Sequence, residues 1–265
     1  MTTKTVTVRV QRFNPEVDKK PHLQSFQVEM TPETTLLDAL EGIKATQDGT
    51  LTFRRSCRHA ICGSCAMNVN GHNTLVCNQP LSRHLDRHDR VTIRPLPFLP
   101  IIKDLVVDRS NFWEQYRRVK PWLIPPDELP ETEFRVSPEE VAAINDAEQC
   151  IMCGACYSSC QVVALNKTYI GPHALLKAFL RVMDPRDSAV AERLADVAGT
   201  DGVYRCHTIF NCIDACPKGL DPTRAIETLR QMAQKRAHYE AERRERQKRL
   251  AEPTAPVAAP EVVTE

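Results

Sequence analysis

The chain has 265 residues, with 35 Lys and Arg against 34 Asp and Glu, a formal net charge of +1 and 42% hydrophobic residues. So small a net charge sets up no global field that would select nucleic acid as a partner, and no apolar run approaches the roughly eighteen residues that a bilayer-spanning helix needs. The length suits two domains of ordinary size. The N-terminus, Met1-Thr2-Thr3-Lys4-Thr5-Val6, has neither a secretory apolar stretch nor an Arg-rich transit pattern, so the chain is expected to stay where it is made. Disulfides are rare in such a compartment, so the 11 Cys argue for metal; an odd number also defeats full pairing.

Lys4 to Phe13 alternates, with Val6, Val8 and Val10 on one face, which predicts a half-buried strand. Asn14-Pro15 to Lys20-Pro21 is turn material. Ser25 to Met30 forms a second strand and completes a hairpin. A helix follows Thr31-Pro32-Glu33, with Leu36, Leu37, Leu40 and Ile43 at helical spacing. Strand, strand, helix and then a Cys-bearing loop suggest a small β-grasp domain. The loop holds Cys57, Cys62 and Cys65, and Cys77 follows after a short connection through Gly71. This C-x4-C-x2-C…C spacing is that of plant-type [2Fe–2S] centres. Gly63 lets the backbone pass close to such a centre. Arg54, Arg55 and Arg58 either offset an anionic cluster or are solvated charge. Zinc is the rival occupant, and the x4 spacing disfavours it. Arg90 to Arg94 reads as a closing strand.

Pro95 to Pro100 is proline-dense and reads as an extended linker rather than a packed element. Ile101 to Leu105 and Asn111 to Tyr116 are expected to be helical, and Pro121 to Pro130 irregular. Ser137, Pro138 and Glu140 form a capping-box signature. They open a helix with Val141, Ala142, Ile144 and Ala147 on its apolar side, which delivers Cys150. Gly171-Pro172 opens another helix through Leu175, Leu176, Phe179 and Leu180. Further helices are expected from Ser188 to Val197 and after Asp221-Pro222. The last becomes charged all round, with Arg243, Arg244, Arg246, Lys248 and Arg249 near its end. This reads as a solvated helix end, or as contact with a partner or anionic lipid. Ala251 to Glu265 has no core pattern and is expected to be disordered.

Cys150, Cys153, Cys156 and Cys160 fit the bacterial ferredoxin run C-x2-C-x2-C-x3-C. Cys206, Cys212 and Cys216-Pro217 fit it too, with Ile209 at the second Cys position. In two-cluster ferredoxins the fourth Cys of each run ligates the other cluster. That rule groups Cys150, Cys153 and Cys156 with Cys216, a four-thiolate site suited to [4Fe–4S]. It leaves Cys160, Cys206 and Cys212 around Ile209, whose alkyl side chain cannot coordinate iron, so [3Fe–4S] is expected there. Structural zinc prefers paired C-x2-C knuckles and fits this repeated spacing poorly.

These residues carry a resemblance over roughly Val6 to Gln231. The chain resembles the iron–sulfur subunit of the succinate dehydrogenase (succinate:quinone oxidoreductase) and fumarate reductase family. The matching pieces are Phe53 to Arg58, Ile61 to Met67, Ile102 to Leu105, Arg205 to His207, Asn211-Cys212, Cys216 to Leu220 and Pro222 to Ile226. The resemblance implies an α+β chain. An N-terminal β-grasp plant-type [2Fe–2S] ferredoxin domain (1–100) is joined through a connection (101–135) to an all-α bacterial-ferredoxin-like domain (136–240). A charged helix end and tail (241–265) complete it.

The resemblance further implies a peripheral subunit on the cytoplasmic face of the bacterial inner membrane, between an FAD-bearing flavoprotein and membrane-anchor subunits. Succinate is oxidised to fumarate on the flavoprotein, as a step of the tricarboxylic acid cycle and respiratory chain. Electrons would pass through [2Fe–2S], [4Fe–4S] and [3Fe–4S] to quinone. No catalytic residue falls on this chain, and no G-x-G-x-x-G nucleotide fingerprint appears in it. His207 and Ile209 fall on family positions near the quinone. Many ubiquinone-reducing relatives have Pro after the fourth Cys of the first run and then a Trp pair. Here Cys160 precedes Gln161-Val162-Val163-Ala164-Leu165-Asn166, which favours menaquinone slightly over ubiquinone. Haem b on an anchor subunit is left open, as are the fumarate-reducing direction and a soluble ferredoxin-like carrier. A carrier would have no need of the Pro95–Pro130 connection or the basic helix end.

Overall fold

The computed structural model describes residues 3–236 together with 241, 244 and 245. The expected disordered tail, and most of the charged helix end, lie outside the described residues.

The alternating pattern at the N-terminus becomes β1 (Lys4–Arg12), paired antiparallel with β2 (His22–Met30) from Lys4↔Met30 to Arg12↔His22. Val6, Val8 and Val10 all point into the core, at 0–1% exposure. The helix α1 (Leu36–Thr46) starts at Thr35, whose side chain accepts the Asp38 N–H while the Asp38 carboxylate accepts the Thr35 N–H. This reciprocal cap satisfies two otherwise orphaned donors, and Leu36, Leu37, Leu40 and Ile43 are buried beneath it. β3 (Ala66–Val69), β4 (His72–Leu75) and β5 (Arg90–Arg94) complete a sheet in the order β2-β1-β5-β3-β4, with β5 parallel to β1. This is the expected β-grasp.

Three differences separate the first half from the sequence reading. The short connection before Cys77 is a β3–β4 hairpin. Asn70 and Gly71 both take positive φ, 50° and 94°, which is the Asn-Gly turn that matches the twist of paired strands.

Ile101 to Leu105 is not helical. It is a strand, β6 (Ile101–Lys103), folding back on β7 (Val106–Val107). The turn residue Asp104 has φ 46°, and its buried carboxylate accepts from the Phe13 N–H, the Thr52 N–H and Arg12 Nε. Those tertiary bonds override local helical preference.

The proline-dense stretch is partly packed, since Pro95 and Leu96 are buried in the N-terminal core.

The second half is helical among the described residues: α2 (Ser110–Arg118), α3 (Pro138–Glu148), α4 (Gln161–Leu165), α5 (Pro172–Met183), α6 (Val190–Val197), α7 (Asn211–Asp214) and α8 (Pro222–Gln234). α5 is the hub and packs against α2, α3, α6 and α8. Ser137 caps α3 with the expected capping box, but the helix buries only Ile144 and Ala147. Val141 and Ala142 are exposed, contrary to the predicted apolar side. The irregular stretch near Pro121 is held by the buried Arg193. Its guanidinium donates to the carbonyls of Val119, Lys120 and Trp122 and pairs with the buried Asp187.

The two halves share core. Phe112 of α2 belongs to the helical core, while Cys153 and Ala155 of the first Cys run pack into the core of the sheet domain. No helix among the described residues is long and apolar enough to cross a membrane.

Candidate metal centres

All 11 Cys are free thiols. The N-terminal four lie on the loop between α1 and β3 and just after β4. Arg58, Ala60 and Gly63 hold positive φ of 64°, 59° and 71°, which curls the loop so that its amides point inward. The Ile61 and Cys62 N–H groups donate to Cys57 Sγ at 3.4 and 3.3 Å, and the Ala60 N–H to Cys77 Sγ at 3.3 Å. Backbone donors, that of His59 first, bring the Cys57 thiol down to about 6. Burial, then the Cys77 neighbour, push Cys65 up to about 12. Cys57 meets Cys62, and Cys65 meets both Cys77 and Cys62, so the four sulfurs face one another.

The loop arginines are neither free nor aimed at the sulfurs alone. Arg55 and Arg58 both pair with Glu41 of α1, at 2.5 and 2.8 Å, and Arg54 donates to the Val107 carbonyl. Such partly exposed pairs are each worth up to about 1 kcal/mol, and together they tether the loop to α1.

The remaining seven Cys line two recesses. Cys150, Cys153, Cys156 and Cys216 line one. Cys160, Cys206 and Cys212 line the other, together with His207 and Ile209. The fourth Cys of each run has therefore crossed to the other run's recess. Most electrostatic neighbours follow the same grouping: Cys216 acts on Cys150 and Cys153, and Cys206 on Cys160 and Cys212, while Cys156 feels Cys212 of the other recess as well as its own neighbours. Burial pushes the Cys153 thiol up to about 11 and raises Cys156. Cys212 Sγ also lies 3.2 Å from Thr223 Oγ1.

The two runs repeat one backbone course. Two residues after the first Cys of each run, Met152 and Thr208 have φ 54° and 55°; two further on, Gly154 and Phe210 have φ 86° and 67°. A non-glycine residue in this region costs about 1–2 kcal/mol, so Phe210 holds a strained turn where the first run uses glycine. Ile209 stands at the mouth of its recess and is 43% exposed.

Among the described residues no three His, Cys, Asp or Glu side chains close up as a single bound ion would need. The thiols form sulfur-only donor sets, which suit iron–sulfur clusters.

Sequence reasoning missed the contacts that join the sites. A Cβ at Gly63 would meet Cys153 Cα and Cβ at 2.9 Å, so the N-terminal loop touches a ligand of the four-Cys recess. Asn73 of β4 donates to the Ala155 carbonyl (3.1 Å), Ser158 Oγ (2.9 Å) and Ser159 Oγ (2.9 Å). Nothing in the spacing of Asn73 marks it; the Asn70-Gly71 turn beside it was the available signal.

A family model described as "2Fe-2S iron-sulfur cluster binding domain" matches residues 7–114, and one described as "4Fe-4S dicluster domain" matches residues 146–220. The succinate dehydrogenase iron-sulfur subunit of Coxiella burnetii (strain RSA 493 / Nine Mile phase I) is 42% identical over 228 residues, covering 85% of this chain and 95% of that protein. Among solved structures, a chain of the Mycobacterium smegmatis Sdh1 complex in the apo form superposes with a TM-score of 0.80 at 27% identity, covering 89% of this chain and 98% of that one. A hypothetical protein from Helicobacter pylori matches at a TM-score of 0.50 and 15% identity, over 86% of this chain and 39% of that one, a likeness of fold alone.

Proposed function

The chain belongs to the family of succinate dehydrogenase iron–sulfur subunits, and from that premise we propose how its eleven thiols are shared among three clusters. The family makes it an electron-transfer subunit of an oxidoreductase, with a [2Fe–2S] ferredoxin domain followed by a helical [4Fe–4S] ferredoxin-like domain. In the proposed assignment Cys57, Cys62, Cys65 and Cys77 hold [2Fe–2S], and Cys150, Cys153, Cys156 and Cys216 hold [4Fe–4S]. Cys160, Cys206 and Cys212 hold [3Fe–4S], with Ile209 denying that site a fourth ligand. The observation that carries this reading is the exchange of Cys160 and Cys216 between the two recesses.

Bound clusters would supply one-electron carriers, which suit a relay between a two-electron flavin and a quinone reduced in single steps. The chain's own residues set the order of the sites. The curled loop 53–65 presents Cys62 and Arg58 to solvent, which suits docking on an FAD-bearing flavoprotein. Gly63 abuts Cys153, so the [2Fe–2S] and [4Fe–4S] sites adjoin. The three-Cys recess opens beside exposed Ile209 and Phe210, which suits a membrane-anchor subunit and a quinone near His207 and Ile209. Without a Trp pair after Cys160, the reading favours menaquinone slightly over ubiquinone. The chain would thus sit peripherally on the cytoplasmic face of the bacterial inner membrane, its proposed units being 1–100, 101–135, 136–240 and 241–265.

The test is EPR with iron and zinc analysis on complex purified without oxygen. The expected result is about nine irons per chain, a three-iron signal in the oxidised sample and a two-iron signal after reduction by succinate. Intact protein that lacks the three-iron signal would overturn the assignment of Cys160, Cys206 and Cys212.

A further inference from the structure

Arg109 precedes α2 and reaches across to the first Cys run. Its Nη2 donates to the carbonyl of Met152, between Cys150 and Cys153. It fits there because Gly154, at φ 86°, has no side chain: a Cβ at that position would stand 3.2 Å from Arg109 Nη2, 3.6 Å from Cζ and 3.7 Å from Nε. The guanidinium therefore fills the space behind the backbone that links Cys153 to Cys156. Its outer face is covered by aromatic rings, with Cζ 4.4 Å from the Phe112 centroid and 5.3 Å from that of Trp113. Among the described residues Arg109 Nε is buried without a hydrogen-bond partner. Among the same residues Cys153, Cys156 and Arg54 act on its charge, with no carboxylate among them, and it acts in turn on the buried His173.

An arginine in this position carries an unneutralised charge. A group serving only to hold the Met152 carbonyl would need a donor and no charge. Cluster potentials respond to net charge and burial, and reduction adds one negative charge to a cluster. A fixed cation just outside the thiolates favours the reduced form, and in a partly buried setting of effective dielectric about 20 the effect is on the order of tenfold in the reduction equilibrium.

We propose that Arg109, on the reading that Cys150, Cys153, Cys156 and Cys216 hold [4Fe–4S], is a positioning residue that raises the midpoint potential of that centre alone. Arg109→Gln removes the charge and keeps an amide donor, one that ends two bonds short of the Nη2 that meets the Met152 carbonyl. Arg109→Lys keeps the charge. Trp113→Glu leaves Arg109 in place and sets a carboxylate beside it from the partly exposed surface.

The experiment is an EPR-monitored redox titration of the purified complex carrying each variant, with iron analysis alongside. The [4Fe–4S] midpoint should fall in Arg109→Gln and in Trp113→Glu by the equivalent of about tenfold, or about 59 mV for a one-electron couple. It should return toward the parent value in Arg109→Lys. The [2Fe–2S] and [3Fe–4S] midpoints should not move. If Arg109→Gln loses iron, Trp113→Glu decides. An unshifted [4Fe–4S] midpoint in an iron-replete variant would overturn the role of Arg109 alone. A parent complex with no four-iron centre would overturn the cluster assignment itself.

Discussion

Gly63 packs against Cys153 so closely that a Cβ added at position 63 would lie 2.9 Å from both Cys153 Cα and Cβ. One residue lies between two cysteines of the N-terminal loop and the other is a cysteine of the four-Cys recess, so two Cys-bearing loops meet with no side chain between them. Gly63 also holds φ 71°. Gly63→Ala should cost about 1–2 kcal/mol for the left-handed backbone alone and push the loops apart. In rapid-freeze EPR after succinate addition, the reduced two-iron signal should persist longer than in the parent. Unchanged kinetics in folded, iron-replete protein would take this contact off the electron route.

Ile209 lines the three-Cys recess where the repeated motif calls for a ligand. Ile209→Cys should convert that centre to four irons, with a gain of about one iron per chain and loss of the oxidised three-iron EPR signal. An unchanged iron count would contradict the crossed pairing.

Cys57 Sγ accepts from the Ile61 and Cys62 amides and meets the Cys62 thiol of its own loop. Cys57→Ser should alter the two-iron spectrum while the three-iron signal of the oxidised complex stays as it was. Simultaneous loss of the three-iron signal from otherwise folded protein would show that the two sites do not form independently.

Asn73 ties the β3–β4 hairpin to the turn between Cys156 and Cys160 through three acceptors. Asn73→Leu should cost about 1–3 kcal/mol, because acceptors at a buried junction lose their donor. Hydrogen exchange should quicken at residues 155–159 more than in strands β1 and β2 at the far side of the sheet. Uniform exchange across both regions would argue against a local latch.

Arg193 and Asp187 form an ion pair with side-chain exposures of 1% and 0%. Arg193→Met should destabilise by about 3–5 kcal/mol, since it takes the cation from a buried carboxylate that keeps its Ile124 and Ala189 amide donors and removes the donor to the carbonyls of Val119, Lys120 and Trp122. Thermal melting of the complex and proteolysis near Pro121 to Pro130 read this out. A Tm within a degree of the parent would sink it.

The order and type of most elements follow from local pattern. The alternation of Val6, Val8 and Val10, the caps at Ser137 and Asp221 and the Cys spacings each depend on residues close together in the chain, which is why they are legible there. The grouping of the thiols into sets of four, four and three was readable too, because the ferredoxin run is a local motif whose two copies predict the exchange of Cys160 and Cys216. Long-range contacts decided the rest. Ile101 to Leu105 became a hairpin because the Asp104 carboxylate gathers donors from Arg12, Phe13 and Thr52, none of them nearby in the chain. Val141 is exposed because no element among the described residues packs over it, which helical periodicity cannot reveal. The sequence by itself determined how the thiols divide into groups, through the spacing of local motifs. Only the tertiary structure decided how those centres adjoin, through Gly63 on Cys153, Asn73 on the Ala155 carbonyl and Arg109 behind Gly154, because each is a contact between segments that no short-range pattern encodes.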